Sequence, residues 1–385
     1  MIDLILYDVY FAFVLNHDLN KIFKIDNINL ANPENFAKIL AQDEDKNRKK
    51  MIPLQKNNLS MSNNPFRTEI QKQKAEFTIS HKDSIMLMGS CFAESIGGKL
   101  AKYKFPTNIN PFGILFNPIS IAQSLNMLAD TFLFTENDLL LFNNEWISLF
   151  HHGKFSHPDK EKCLETINKK LVESRTFLQK TDFLILTLGT TITYSYYGNV
   201  VANCHKIPQK EFEKQTLTVQ EIVLNLTESI EKIKSINENI RLIFTVSPVR
   251  YIKNCMVENA LSKSRLIVAV HELINCIPNT YYFPAFEIMV DDLRDYRFYC
   301  EDMIHPASMA IDYIWEIFSY TFFDRHTAGL NKTIKNVHLA TDHRVKKSDS
   351  EESKMFKETQ IENIEKIQKL YPSISFEKEL DYLKN

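Results

Sequence analysis

The residues best suited to chemistry lie in the turn Met88-Gly89-Ser90-Cys91-Phe92-Ala93-Glu94. It follows the apolar run Ile85-Met86-Leu87 and precedes a helix-like stretch, Ser95 to Tyr103. A strand that feeds a glycine turn at the mouth of a helix presents a side chain at the positive end of the helix dipole, beside free backbone N–H groups. Two nucleophile-type side chains, Ser90 and Cys91, occupy that position, and a thiol there is expected to ionise more readily than in solution. Far along the chain, Asp302-Met-Ile-His305-Pro306 supplies an Asp-x-x-His pair. A carboxylate at that spacing can orient an imidazole, which in turn can activate a nucleophile. Between the two lie glycine turns at Gly113 and at Gly189-Thr190-Thr191, and the segment Ser247-Pro248-Val249-Arg250.

Such residues need a scaffold that gathers strand ends. Short apolar runs at Ser84–Met88, Phe183–Leu188, Arg241–Val246 and Tyr281–Phe286 read as strands. Helical patterns at Pro118–Asp130, Glu161–Gln179, Val219–Lys234, Val257–Ile277 and Ala307–Phe323 lie between and after them. Continuous apolar strands alternating with helices predict a parallel sheet covered on both faces, an α/β fold. In such sheets ligands bind beyond the carboxyl ends of the strands, where the glycine turns and the Asp-x-x-His pair fall.

The chain has 385 residues, a net charge of −2, scattered Lys and Arg, and six cysteines with no CxxC pair. This composition argues against a nucleic-acid surface and against a disulfide framework. No apolar run approaches the length needed to span a bilayer, and the start lacks a basic region and a cleavage site. The expectation is a cytoplasmic protein without cofactor or resident metal. His151, His152, His157 and Asp159 match no familiar zinc spacing. Glycine is scarce, eight in all, so each one retained suggests a positive φ or a close backbone approach. Residues 1–60 read as an extension ending in an Asn-rich charged stretch, 61–325 as the main domain, and 326–385 as a charged tail with one amphipathic helix carrying Ile361, Ile364, Ile367 and Leu370. Met61-Ser-Asn-Asn-Pro-Phe also has the look of a protein start.

Gly89-Ser90-Cys91-Phe92-Ala93 spells the motif of the GSCFA family, a branch of the SGNH (GDSL-like) hydrolase superfamily, and the chain resembles that family in four further blocks. These are Asn110 to Pro118, Leu186 to Thr190, Val201 to Pro208, and Asp291 to Pro306. The resemblance implies a three-layer α/β/α sandwich and ester hydrolysis through an acyl-enzyme, with a small-molecule or glycan acyl ester as substrate. A transferase passing the acyl group to a glycan, or a degenerate ligand-binding protein, shares the same residues. Laid over the superfamily's first block, Cys91 stands at the nucleophile position, with Ser90 as the alternative register. His305 would then be the base and Asp302 its orienting partner. Gly113 N–H and Thr191, in the Gly189 turn where the superfamily carries an Asn amide, would serve the oxyanion. His152, His205 and Arg250 are candidates for contacting substrate.

Overall fold

The computed structural model describes residues 67–342, apart from Asn254, and 351–384, apart from Ser373. The extension at 1–60 and the start-like segment at Met61 lie outside the described residues. Five strands form the central sheet: β1 (Ile85–Gly89), β2 (Thr107–Ile109), β5 (Phe183–Leu188), β9 (Arg241–Val246) and β10 (Thr280–Tyr282), in the order β10-β9-β5-β1-β2. Every neighbouring pair is parallel. Five residues of β1 pair with β5, and six of β5 pair with β9, which places Gly89, Leu188 and Val246 at one end of the sheet.

Because side chains alternate along a strand, each strand feeds both faces. Met86, Met88, Leu184, Leu186, Leu242 and Phe244 join one core, with helices α2 (Pro118–Ala129), α3 (Lys160–Leu178), α4 (Val219–Ile236) and α5 (Met256–Cys276). Ile85, Leu87, Phe183, Ile185 and Ile243 join the other, with α1 (Cys91–Lys102) and α6 (Ser308–Phe322). The result is the expected three-layer α/β/α sandwich, in which each fully buried Leu or Ile contributes about 1.5–3 kcal/mol relative to exposure. Helix starts follow capping chemistry. Asn117 accepts from Ser120 N–H ahead of Pro118, and Thr218 and Glu221 close a capping box on α4.

Two small antiparallel sheets lie outside the central one: β3 (Leu140–Phe142) with β4 (Glu145–Ile147), and β6 (Ile192–Tyr196) between β7 (Asn199–Val201) and β8 (Glu213–Thr216). The last strand is shorter than the apolar run suggests. Pro284 follows β10, and the chain enters a helical turn at Ala285–Glu287 and a π-helical segment at Ile288–Leu293.

The tail forms three helices, α7 (Arg325–Asp342), α8 (Glu351–Leu370) and α9 (Glu377–Lys384), rather than one. Ile334, Val337, Ile364, Ile367, Ile374, Phe376 and Leu383 make a separate core among them. These helices also meet the end of α1. His338 Nε2–H donates to Lys102 O at 2.7 Å and Lys104 Nζ reaches Glu379 Oε1 at 2.7 Å. No described helix is long and apolar enough to cross a membrane.

Candidate active site

At Gly89 the backbone adopts φ +136, and a Cβ there would lie 2.1 Å from Thr187 O on the neighbouring strand. Only glycine permits this turn, and the turn delivers Ser90 and Cys91 to the start of α1. Ser90 is the N-cap. Its Oγ accepts from Phe92 N–H at 3.3 Å and donates to Ser247 Oγ at 2.9 Å, and the residue is 2 % exposed. Cys91 is the first helical residue and is partly open to solvent. The serine is therefore held by the scaffold, while the cysteine is only partly buried.

The helix start does not activate that thiol as expected. Burial pushes the Cys91 thiol above its ordinary value and Glu94 adds to this, while the N–H groups of Cys91 and Phe92 and the Lys263 ammonium pull the other way. Desolvation outweighs the helix terminus, so the resting group is a thiol that needs a base.

The Asp302–His305 pair is formed as its spacing predicts. His305 Nδ1 lies 2.6 Å from Asp302 Oδ2, and Asp302 Oδ1 accepts from the N–H groups of Ile304 and His305 at 2.9 and 3.0 Å. These bonds hold the Asp302 carboxyl down at about 2, the His305 backbone N–H first among them and the imidazole next. An ionised carboxylate on Nδ1 fixes the tautomer with Nδ1–H, leaving Nε2 as the proton acceptor. Among the described residues, Nε2 has no hydrogen-bond partner. Met303, at φ +57, turns this loop, and Arg250 secures it. Arg250 N–H donates to Ile304 O at 3.2 Å, its Nη1 donates to Met303 O at 3.0 Å, and its guanidinium stacks 3.9 Å from the Tyr299 ring. Arg250 thus braces the Asp302–His305 loop. It lies three residues past Ser247, so the β9 exit ties both Ser90 and His305 to the same end of the sheet.

The expected oxyanion donors are differently used. Gly113 N–H donates to Asn110 O at 2.8 Å, and the glycine, at φ +83, makes room for His152, whose Cβ would clash with any side chain there. Thr191 N–H donates to Ser262 Oγ at 2.8 Å. Its hydroxyl is sealed in the interior and, among the described residues, has no partner, so it does not face the surface from which a substrate approaches. Gly189 N–H donates to Phe116 O at 2.9 Å, which makes this glycine a crossing point of two chain segments. Among the described residues, the Cys91 N–H remains without a protein acceptor and is the donor left at the turn.

The histidines brace a neighbouring loop. His205 Nε2–H donates to Ser148 O at 2.8 Å. His152 Nδ1 accepts from Lys154 N–H at 3.2 Å, leaving an Nε2–H at a half-buried position. Lys154 Nζ lies 3.8 Å from Glu94, so this loop borders the start of α1. His151 is buried against Phe112, and burial lowers it to about 3, so it is neutral. Among the described residues no three His, Cys, Asp or Glu side chains converge on a metal-sized space.

Two residues were not singled out from the sequence. Asn110 Oδ1 accepts from Gly89 N–H at 2.9 Å and holds the turn from below. Lys263 is buried on α5 and bonds the exits of β5 and β9. Its signal lay in the helical period, since it shares the buried face of Asn259, Ser262, Leu266, Ala269, Val270 and Leu273.

Comparison with curated protein sequences finds no match. Solved structures that resemble the chain include a Clostridium thermocellum family 3 carbohydrate esterase (10 % identity, TM-score 0.30, covering 66 % of this chain and 98 % of that one). A family 3 carbohydrate esterase from Talaromyces cellulolyticus covers 66 % of this chain and 99 % of its own, at 10 % identity and TM-score 0.30. A mutant acetyl esterase with acetate ion gives 10 % identity, TM-score 0.32, and the same coverage of 66 % and 99 %. The profile of the GSCFA family matches residues 84–318, and that of the GSCFA domain protein C-terminal domain matches 334–385. With both profiles in order along most of its length, the chain belongs to the GSCFA family.

Proposed function

We propose that the protein is an ester hydrolase of the SGNH type that works through a thioester at Cys91. The observation that supports this reading is the division of labour in the turn: Ser90 is buried and hydrogen-bonded on both sides, whereas Cys91, the first helical residue, is only partly buried. His305 Nε2 takes the thiol proton as Sγ attacks the acyl carbon. The carbonyl electrons move to oxygen, which Cys91 N–H receives. The intermediate collapses, the C–O bond to the alcohol breaks, and the imidazolium returns its proton to the leaving alkoxide. Water then attacks the thioester with His305 again as base, the C–S bond breaks, and the carboxylic acid leaves with the thiol restored. Asp302, ionised throughout, orients His305 through Nδ1. The substrate is an acyl ester of a small molecule or glycan.

The test is the burst of p-nitrophenol from p-nitrophenyl acetate, read on the wild type and on Cys91→Ala, Ser90→Ala and His305→Ala. The burst is expected to vanish in Cys91→Ala, to slow by about 10²–10⁴ in His305→Ala, and to persist in folded Ser90→Ala. A burst retained in Cys91→Ala, or an unaltered rate in His305→Ala, overturns the reading. The engaged Gly113 N–H and the sealed Thr191 hydroxyl favour a second reading, a site that binds an acyl ligand without turnover. A wild type that binds a phosphonate ester reversibly and gives no burst would select it.

A further inference from the structure

Beneath the turn lies a charge that the hydrolytic scheme leaves unused. Lys263 is 1 % exposed, and its Nζ donates to Gly189 O at 2.6 Å and Ser247 O at 2.7 Å. Among the described residues no carboxylate pairs with it. The Phe286 ring lies 5.8 Å away, and Glu287, on the same turn, has both oxygens engaged by Tyr282. Its α5 neighbours are equally occupied: Ser262 serves Thr191 N–H and Asn259 serves Tyr251 N–H. A bare buried cation is an expensive way to clamp two carbonyls. The contacts lead toward the nucleophile, because Lys263 holds the backbone of Ser247, and Ser247 Oγ holds Ser90, the residue before Cys91.

We propose that Lys263 is the buried counter-charge of the nucleophile turn, a positioning residue that fixes the exits of β5 and β9 and balances the negative charge on Cys91 Sγ when its proton leaves. The inference rests on Cys91 as the ionising group of the proposed function. No bond to Lys263 forms or breaks: the thiol proton goes to His305, the electron pair stays on sulfur, and the ammonium stays in place. Burial brings the Lys263 amine down to about 7, and Cys91 is the group that favours its charged form. Among the described residues, the charged groups acting on Cys91 are Lys263 from α5 and Glu94 from its own helix, with opposite effects. Lys154 Nζ lies 3.8 Å from Glu94 Oε1.

The experiment follows iodoacetamide alkylation at Cys91, mapped by peptide mass, from pH about 5.5 to about 9.5, a range chosen to bracket the ordinary thiol titration. At pH about 6, where the amine is charged, wild type is expected to react about tenfold faster than Lys263→Met, one pH unit's worth of thiolate. Its log rate is expected to flatten as pH passes about 7. Lys263→Arg keeps the fast reaction without the flattening, and Glu94→Gln reacts faster throughout. A purely structural lysine would produce neither the flattening nor the rescue by arginine. Should Lys263→Met fail to fold, Cys91→Asp places a standing charge at the sulfur's position, and NMR of the Lys263 ε-methylene should show its titration moved up by about a unit relative to Cys91→Ser. A folded Lys263→Met that tracks wild type at low pH, or an unmoved titration in Cys91→Asp, overturns the proposal. Both readouts avoid ester substrate. Loss of the burst with these shifts intact therefore refutes hydrolysis alone, and hydrolysis without the shifts refutes the counter-charge alone.

Discussion

Replacing Gly89 with alanine sets the geometry of the nucleophile turn against the sheet that carries it. The added Cβ would sit 2.1 Å from Thr187 O, 2.8 Å from Thr187 C and 3.0 Å from Thr187 Cα, all backbone atoms of a buried strand, at φ +136. None of these atoms belongs to a side chain that can swing away. Holding an alanine in that region costs about 1–3 kcal/mol, and forcing an extra carbon into packed surroundings costs about 1–3 kcal/mol more. A loss of about 4 kcal/mol is therefore expected against a total stability of about 5–15 kcal/mol. At about 2–4 °C per kcal/mol for a domain of this class, the melting temperature falls by about 10 °C. Gly98→Ala is the matched control. Nothing lies within 4 Å of its Cβ, it is exposed in the middle of α1, and a gain of about 0.5–1 kcal/mol is expected. Urea unfolding followed by tryptophan fluorescence measures both. A Gly89→Ala protein within about 1 kcal/mol of wild type would refute the argument that the turn requires glycine, as would two variants that move in the same direction.

Ser247→Ala removes the acceptor of the Ser90 hydroxyl at 2.9 Å and should cost about 1 kcal/mol by chemical denaturation while leaving Cys91 alkylation measurable. Asp302 should confer stability above its ordinary range near 3.8 that fades as pH falls through about 2, because the folded state holds the carboxyl down. Melting curves of wild type and Asp302→Asn should accordingly stay apart above pH about 4 and converge below it. Ile364→Ala, at a fully buried position of the C-terminal core, should cost about 2–4 kcal/mol and make the last three helices the first site of limited proteolysis.

Much of the sheet was legible because its strands are covered on both faces. Phe183–Leu188 and Arg241–Val246 are continuous apolar runs, and both strands have those bounds. β2 was not, since three edge residues, Thr107–Ile109, carry too little pattern to separate from a loop. β8, Glu213–Thr216, is exposed along its length and has no apolar face to read. Helix α1 begins at Cys91, four residues earlier than its apolar period suggests, because Ser90 supplies the cap. The Asp302–His305 pair was legible from its short spacing and from the family resemblance, and the loop does bring the two side chains together. The burial of Thr191 depends on tertiary neighbours that no local pattern encodes, whereas the Gly113 N–H bond to Asn110 O closes a local turn, Asn110-Pro-Phe-Gly113, whose proline and glycine are visible in the sequence. Lys263 escaped notice because a lysine on an amphipathic helix ordinarily reads as a solvated one. The stripe of Ile361, Ile364 and Ile367 was visible, but its partners on α7 and α9 were not, and Leu370 leaves that core with 71 % exposure.

The contacts at the far end of α1 bear on where the polypeptide can be cut. The helix that carries Cys91 at its first residue ends with Lys102 O held by His338, Lys104 paired to Glu379, and Tyr103 stacked 5.4 Å from the Trp315 ring. A recombinant fragment ended after α6, at the close of the sandwich, would keep every strand and every residue of the candidate site. It would also strip His338 and Glu379 from the last turn of α1 and leave that turn's carbonyl and cation to water. The natural unit for expression, crystallisation or domain grafting is therefore the sandwich together with its three terminal helices.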